Sequence, residues 1–155
     1  MNKTIFAAAA VATSLAFAAP ASANEARVEA RGGIAWANGV EEAVAGIAAG
    51  YDFDLGDSEN GSVFFGVEGS ADKVLVDGAN VYFGTTARLG AKIGQSGKLF
   101  ATAGYSFGEG EDVPHLGGGY QHKINDKVYL KAEYRHFFSD FVDLNTAAVG
   151  LGVTF

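Results

Sequence analysis

Hydrophobic and polar positions alternate along nearly the whole chain beyond residue 24. The run 147–155 is the clearest case. Val149, Leu151, Val153 and Phe155 make one apolar face, and Ala148, Gly150, Gly152 and Thr154 make a face of small residues. Such period-two alternation marks a β-strand with different surroundings on its two sides. The pattern predicts eight strands, near 25–37, 42–54, 62–71, 80–93, 98–108, 115–124, 127–137 and 144–155. The first sets Ala26, Val28, Ala30, Gly32, Ile34 and Trp36 against Glu25, Arg27, Glu29, Arg31, Gly33 and Ala35. The seventh sets Val128, Leu130, Ala132 and Tyr134 against Tyr129, Lys131, Glu133 and Arg135. The sixth is the weakest, because Gly117-Gly118-Gly119 blurs its alternation. The second reads locally as a helix over 41–49, but its continuation into Gly50-Tyr51-Asp52-Phe53-Asp54 favours a strand.

The segment before these strands has a different character. Lys3 supplies a positive start, Ile5 to Ala19 is a short apolar stretch, and Pro20-Ala21-Ser22-Ala23 forms an A-x-A cleavage box. Residues 1–23 are therefore expected to be a cleavable secretory signal peptide, leaving 24–155 as one domain. No later segment is a long apolar run, which argues against a helical membrane span. The absence of cysteine excludes a disulfide scaffold and thiolate metal sites. With Lys3 removed, ten basic residues face eighteen acidic ones, a net charge of −8. Nucleic-acid binders carry a basic footprint instead, so no nucleic-acid partner is expected.

Alternation alone does not say which face is inside. A lipocalin-like barrel turns its apolar face inward around a ligand, whereas a membrane barrel turns it outward. The middles of the apolar faces hold no Lys, Arg, Asp or Glu, while Arg27, Arg31, Arg88, Lys92, Lys123, Lys131 and Arg135 fall on the polar faces. Those polar faces are also rich in small residues, among them Gly46, Gly50, Gly66, Gly84, Gly90, Gly104, Gly150 and Gly152. Small residues suit the narrow interior of an eight-stranded barrel. Aromatic residues gather toward the strand ends, with Trp36, Phe83, Tyr105 and Phe107 near one rim and Tyr51, Phe53, Phe65 and Phe155 near the other. Two such girdles suit a bilayer with two interfaces. The expected fold is all-β, an eight-stranded antiparallel up-and-down transmembrane β-barrel.

Several stretches carry a more specific likeness: Gly84-Thr85-Thr86-Ala87-Arg88-Leu89-Gly90, Lys98-Leu99-Phe100-Ala101-Thr102-Ala103-Gly104-Tyr105, Val128-Tyr129-Leu130-Lys131-Ala132-Glu133-Tyr134-Arg135 and Gly150-Leu151-Gly152-Val153-Thr154-Phe155. With them, the domain resembles the small eight-stranded outer-membrane β-barrel superfamily that includes opacity-type proteins and OmpA- and OmpX-type barrel domains. The resemblance implies the outer membrane of a Gram-negative bacterium, with outer-membrane lipid and lipopolysaccharide as surroundings. It implies that Phe155 serves as the assembly signal met by the barrel assembly machinery during insertion. It also implies periplasmic termini, four outer loops and three periplasmic turns. No periplasmic peptidoglycan-binding domain is expected after Phe155, so cell-wall anchoring is not carried over. The expected outer loops, near 37–42, 72–80, 109–114 and 138–143, are short beside those of opacity-type adhesins.

Such a fold does not set a function, so candidate sites are weighed individually. Arg27, Glu29 and Arg31 are expected to share the lumen with Glu68, Arg88, Lys131, Glu133 and Arg135 as a network of paired charges. The sharper alternative is a selective pore lined by those cations, but eight strands leave little room for an open channel. The expected outer loops hold Glu41, Glu42, Asp72, Asp77, Glu109, Glu111, Asp112, Asp140 and Asp143 against Lys73 alone. This acidic edge serves for solvation or for divalent-cation bridging to lipopolysaccharide phosphates. The cluster His136-Phe137-Phe138-Ser139-Asp140 is the one hint of catalysis, and it departs from the lipid A deacylase pattern, in which one residue separates His and Ser, because two residues separate them here. His115 and His122 have no ligand-spaced partner, so neither a metal nor a cofactor is expected. The sequence thus points to a monomeric barrel with a structural or surface-interaction role and no catalysis. A small porin-like channel and a lipid A-modifying enzyme are the alternatives.

Overall fold

The computed structural model describes residues 24–58, 61–108 and 112–155. Eight strands form: β1 Glu25–Ala37, β2 Val40–Ser58, β3 Gly61–Val74, β4 Val81–Ile93, β5 Gly97–Phe107, β6 Val113–Lys123, β7 Val128–Phe137 and β8 Leu144–Thr154. Each pairs antiparallel with its sequence neighbours, and β1 pairs with β8 to close the barrel. Closure leaves no unpaired strand edge, which a sheet in hydrocarbon requires. Among the described residues no helix is long and apolar enough to cross a membrane. The expected signal segment 1–23 lies outside the described residues.

The alternation places apolar side chains outward. Ile47, Leu89, Leu99, Leu116, Val149 and Leu151 each keep half or more of their surface exposed. Arg27, Arg88, Lys131, His115 and Gln121 are among the most buried side chains. This inversion of the usual soluble pattern is the arrangement a lipid solvent selects, since hydrocarbon rewards an apolar exterior and the lumen collects the polar groups.

Glycines make the interior possible. A Cβ on Gly50 would run into the Arg27 guanidinium, one on Gly104 into the His115 ring, and one on Gly152 into the Tyr129 ring. Each glycine thus leaves a berth for a large side chain from another strand. The triple glycine of β6 follows the same logic. Gly117 and Gly119 are paired in register with Arg135 and Glu133, and side chains there would strike Thr102 and the Phe100 ring.

Several boundaries differ from expectation. β1 and β2 are joined by the two residues Asn38 and Gly39, at φ 49° and 80°, in place of a loop over 37–42. An Asn-Gly pair with both φ positive is the tight turn whose twist matches flanking strands. Glu41 and Glu42 therefore stand on β2 and pair with Trp36 and Ala35 of β1. β3 extends to Val74, which moves Asp72 from the expected acidic loop into the lumen, where it is 4% exposed. Arg31 draws it there. Glu109 and Glu111 of the expected acidic edge lie outside the described residues.

Candidate functional site

The lumen holds the densest chemistry of the molecule. Glu68, from the middle of β3, is its hub. One carboxylate oxygen accepts from Arg27 Nη1 at 2.6 Å, and the other from Arg135 Nη2 at 2.7 Å and Arg31 Nη1 at 3.2 Å. Lys131 Nζ lies 3.5 Å from the same carboxylate. Lys131 also sits 2.5 Å from Glu29 and 2.9 Å from Glu133, and Arg135 Nε donates to Glu133 at 2.6 Å. The Tyr129 hydroxyl donates to Glu29 at 2.9 Å. All eight residues expected in the lumen are thus inside the barrel. Arg27, Glu29, Arg31, Glu68, Lys131, Glu133 and Arg135 meet in one network, with Arg88 at its edge.

Arg88 is held differently. Its Nη2 donates to Gln121 at 3.0 Å, and its guanidinium carbon lies 4.2 Å from the Phe100 ring centre and 5.0 Å from that of Phe64. Two aromatic faces replace much of the hydration lost on burial. Asp52 connects this layer to the hub, with Arg27 at 3.4 Å, Arg88 at 3.5 Å and Lys98 at 3.0 Å. Lys98 also pairs with Glu25.

The network is nearly balanced. Arg27, Arg31, Arg88, Lys98, Lys131 and Arg135 face Glu25, Glu29, Asp52, Glu68, Asp72 and Glu133, six charges of each sign, and the part-exposed Lys123 adds a seventh cation on Glu25 at the rim. Burying isolated charges costs several kcal/mol each, and only near-complete pairing offsets that cost.

Sequence reasoning missed Asp52, Asp72, Lys98, Tyr129 and Gln121 as partners, together with the inward Phe64 and Phe100. Asp52 and Lys98 share the inward parity of their strands, so the alternation carried that signal. His115, expected to stand alone, is 1% exposed and lies 3.1 Å from both the Thr86 and Ser106 hydroxyls.

Of the aromatic residues expected in two girdles, Phe53, Phe65, Tyr105, Phe107 and Phe155 are exposed, and Trp36, Tyr51 and Phe83 are half-buried. Trp36, Phe83, Tyr105 and Phe107 stand near the rim away from the termini, with Phe83 and Phe107 stacked at 6.3 Å. Tyr51, Phe53, Phe65 and Phe155 stand near the terminal rim, with Tyr51 and Phe53 at 4.9 Å. Tyr134 joins the first group, 6.1 Å from Trp36, and Tyr120 lies toward the second. The backbone N–H of Phe155 donates to Ala26 at 2.9 Å, tying the last residue to β1.

His136 bonds Asn145 at 2.8 Å and lies 3.6 Å from Asp143, while the Ser139 hydroxyl accepts the backbone N–H groups of Phe141 and Val142. Among the described residues no three His, Cys, Asp or Glu side chains gather as a metal site.

Known structures share this architecture. Neisserial surface protein A is 16% identical, with a TM-score of 0.57 over 88% of this chain and 100% of its own. The N-terminal β-barrel domain of Pseudomonas aeruginosa OprF is 15% identical, with a TM-score of 0.60 over 84% of this chain and 97% of its own. Ail, the attachment invasion locus protein of Yersinia pestis, is 21% identical, with a TM-score of 0.55 over 85% of this chain and 97% of its own. At these identities the likeness concerns the fold. No curated protein sequence matches the chain. The family model for the outer membrane protein beta-barrel domain matches residues 7–155. With the closed barrel and its apolar exterior, this match establishes that the chain belongs to the outer membrane protein beta-barrel domain family, whose place is the outer membrane of Gram-negative bacteria.

Proposed function

We propose that the protein is a monomeric, non-catalytic barrel that serves the Gram-negative envelope as a structural and surface-contact element. The observation that carries this reading is the densely paired charge network around Glu68, in which cations from β1 and β7 converge on one carboxylate of β3. A lumen so filled supports a plug better than a conduit. Its outer band of leucine, isoleucine and valine side chains meets outer-membrane lipid, and its outward aromatics sit at the two interfaces. In this reading the termini lie in the periplasm, and the turns at the other end reach the lipopolysaccharide layer. Phe155, an outward aromatic beside the β1–β8 closure, is the contact for the barrel assembly machinery.

Planar-bilayer recording of the folded protein tests the central point. No stable unitary conductance is expected. A steady channel, closed or widened by substitutions at Glu68, would replace this reading with that of a small pore. Mass spectrometry of lipid A from a deletion strain supplies the second check, with an unchanged acyl pattern expected and an altered one pointing to an enzyme.

A further inference from the structure

At the barrel end away from the termini, His136 belongs to a small cluster on the outer face. Lys131, Glu133, Arg135 and Phe137 of β7 turn inward, so strand parity sends Tyr134 and His136 outward. Both reach Asn145 of β8, the register partner of His136. The Tyr134 hydroxyl donates to Asn145 Oδ1 at 2.7 Å, and His136 Nδ1 lies 2.8 Å from the same oxygen. An amide oxygen only accepts, so Nδ1 carries a proton whether the ring is neutral or charged. The other ring nitrogen, Nε2, is 3.6 Å from Asp143 Oδ2. In the neutral ring Nε2 is an acceptor facing a carboxylate, and no hydrogen bond joins the two. In the charged ring it is a donor facing an opposite charge. The next proton has one place to go, and it lands beside Asp143.

Asp143 also organises the loop between β7 and β8. Its Oδ1 accepts the Ser139 N–H at 3.2 Å, and Ser139 Oγ accepts the N–H groups of Phe141 and Val142 at 3.2 and 3.3 Å. The loop begins tied to β6, where the Phe138 N–H donates to the Pro114 carbonyl at 3.0 Å. The Phe138 ring meets His136 edge-on, with centroids 4.6 Å apart. Phe141 of this loop is 87% exposed. From β6, His136 faces its register partner Leu116. From β8 it faces Asn145, beyond which lie Trp36 of β1 and then Glu41 of β2. The loop itself supplies Asp140 and Asp143. Arg135 and His115 are turned inward and buried, and Lys73 stands on β3, three strands from β8. Among the described residues, the charges around the ring on this face are acidic.

We propose that His136 is a proton-operated clamp on the loop 138–143, closed when Nε2–H of the charged ring pairs with Asp143. The step is uptake of one proton from solvent at Nε2, with no other bond made or broken. Histidine changes charge between about pH 5 and 8. The ion pair exists only with the charged ring, so the closed loop binds the proton more tightly than the open one. Closing is therefore favoured as pH falls and lost as pH rises. The His136 and Asp143 side chains are 29% and 55% exposed, so the pair is open to solvent and its effect is modest. What it governs is how firmly the loop holds Phe138 and Phe141. The clamp goes beyond the structural role proposed above and requires neither a particular surface partner nor a closed lumen.

The test uses the full mature chain folded in nanodiscs of neutral lipid and followed by NMR. Imidazole nitrogen shifts of His136 should show the Nδ1–H tautomer at about pH 8 and both nitrogens protonated at about pH 5. Amide exchange of Phe141 and Val142, corrected for the intrinsic effect of pH, should be about threefold slower at the lower pH. His136→Gln should remove that difference. So should Asp143→Asn, which keeps an oxygen for the Ser139 N–H and loses only the charge. Asn145→Ala should abolish the tautomer preference. Heat-dependent gel mobility reports whether each variant folds, and if one does not, the tautomer and exchange rates of the parent decide the matter. An Nε2–H tautomer at the higher pH, or equal corrected exchange at the two pH values, would overturn the proposal. So would a pH difference in loop exchange that survives Asp143→Asn.

Discussion

Arg31 of β1 reaches across β2 to grip Asp72 of β3 with two parallel bonds, Nε to Oδ1 at 2.7 Å and Nη2 to Oδ2 at 2.5 Å. The strand between them carries Gly46, where a Cβ would overlap the Asp72 carboxylate. The bridge therefore depends on three strands at once: a guanidinium, a carboxylate, and the missing side chain that lets them meet. A bidentate arginine–carboxylate pair is among the stronger polar contacts available, and its planar geometry fixes the relative position of both partners.

Breaking this bridge on one side should be costly. Asp72→Ala leaves Arg31 part-buried without its main partner and should lower stability by about 3–5 kcal/mol. Replacing both residues by small apolar ones should cost less than the sum of the single changes. Reversible urea titration of the folded protein in lipid checks this, and additive losses would show that the two residues do not act as a pair.

Glu68 should be the most sensitive charge in the lumen. Glu68→Gln removes the negative charge facing Arg27, Arg31, Lys131 and Arg135 and leaves an excess of buried cations. A loss of about 3–5 kcal/mol is expected, against under about 0.5 kcal/mol for Glu41→Gln on the exposed part of β2. Equal losses for the two would show that the lumen is wet enough to screen its charges.

The two faces of β7 should respond oppositely to the same kind of change. Leu130 is 46% exposed and Lys131 is 2% exposed. Leu130→Arg should cost about 2–4 kcal/mol as a cation on the lipid face. Lys131→Leu should also destabilise, because Glu29 and Glu133 lose a shared cation. Neutrality of Leu130→Arg together with stabilisation by Lys131→Leu would reverse the assignment of inside and outside.

Gly152 and Tyr129 should be coupled. Gly152→Val pushes a side chain into the Tyr129 ring and should cost about 1–3 kcal/mol or more through overpacking. Pairing it with Tyr129→Ala should recover part of that loss, and a double-mutant cycle in urea measures the recovery. Strict additivity would mean that the glycine is needed for some reason other than space.

The strands, their inward and outward faces and the place of most lumen charges are legible in the chain because a β-strand alternates with a period of two. Parity alone sends Arg27, Arg31, Glu68, Arg88, Lys131, Glu133 and Arg135 to the same side as the small residues. It also holds for Asp52 and Lys98. Asp72 reads as a loop residue because Gly69-Ser70-Ala71 has little local strand character, and only pairing with β2 and β4 carries β3 to Val74. What parity cannot reveal is height. Which residues of non-adjacent strands lie at one level depends on the stagger accumulated around the closed barrel, and no local pattern encodes that stagger. Tertiary structure alone therefore decides that Glu68 gathers cations from β1 and β7, and that Arg88 lies against Phe64 and Phe100. It likewise decides that Arg31 meets Asp72 across the bare backbone of Gly46.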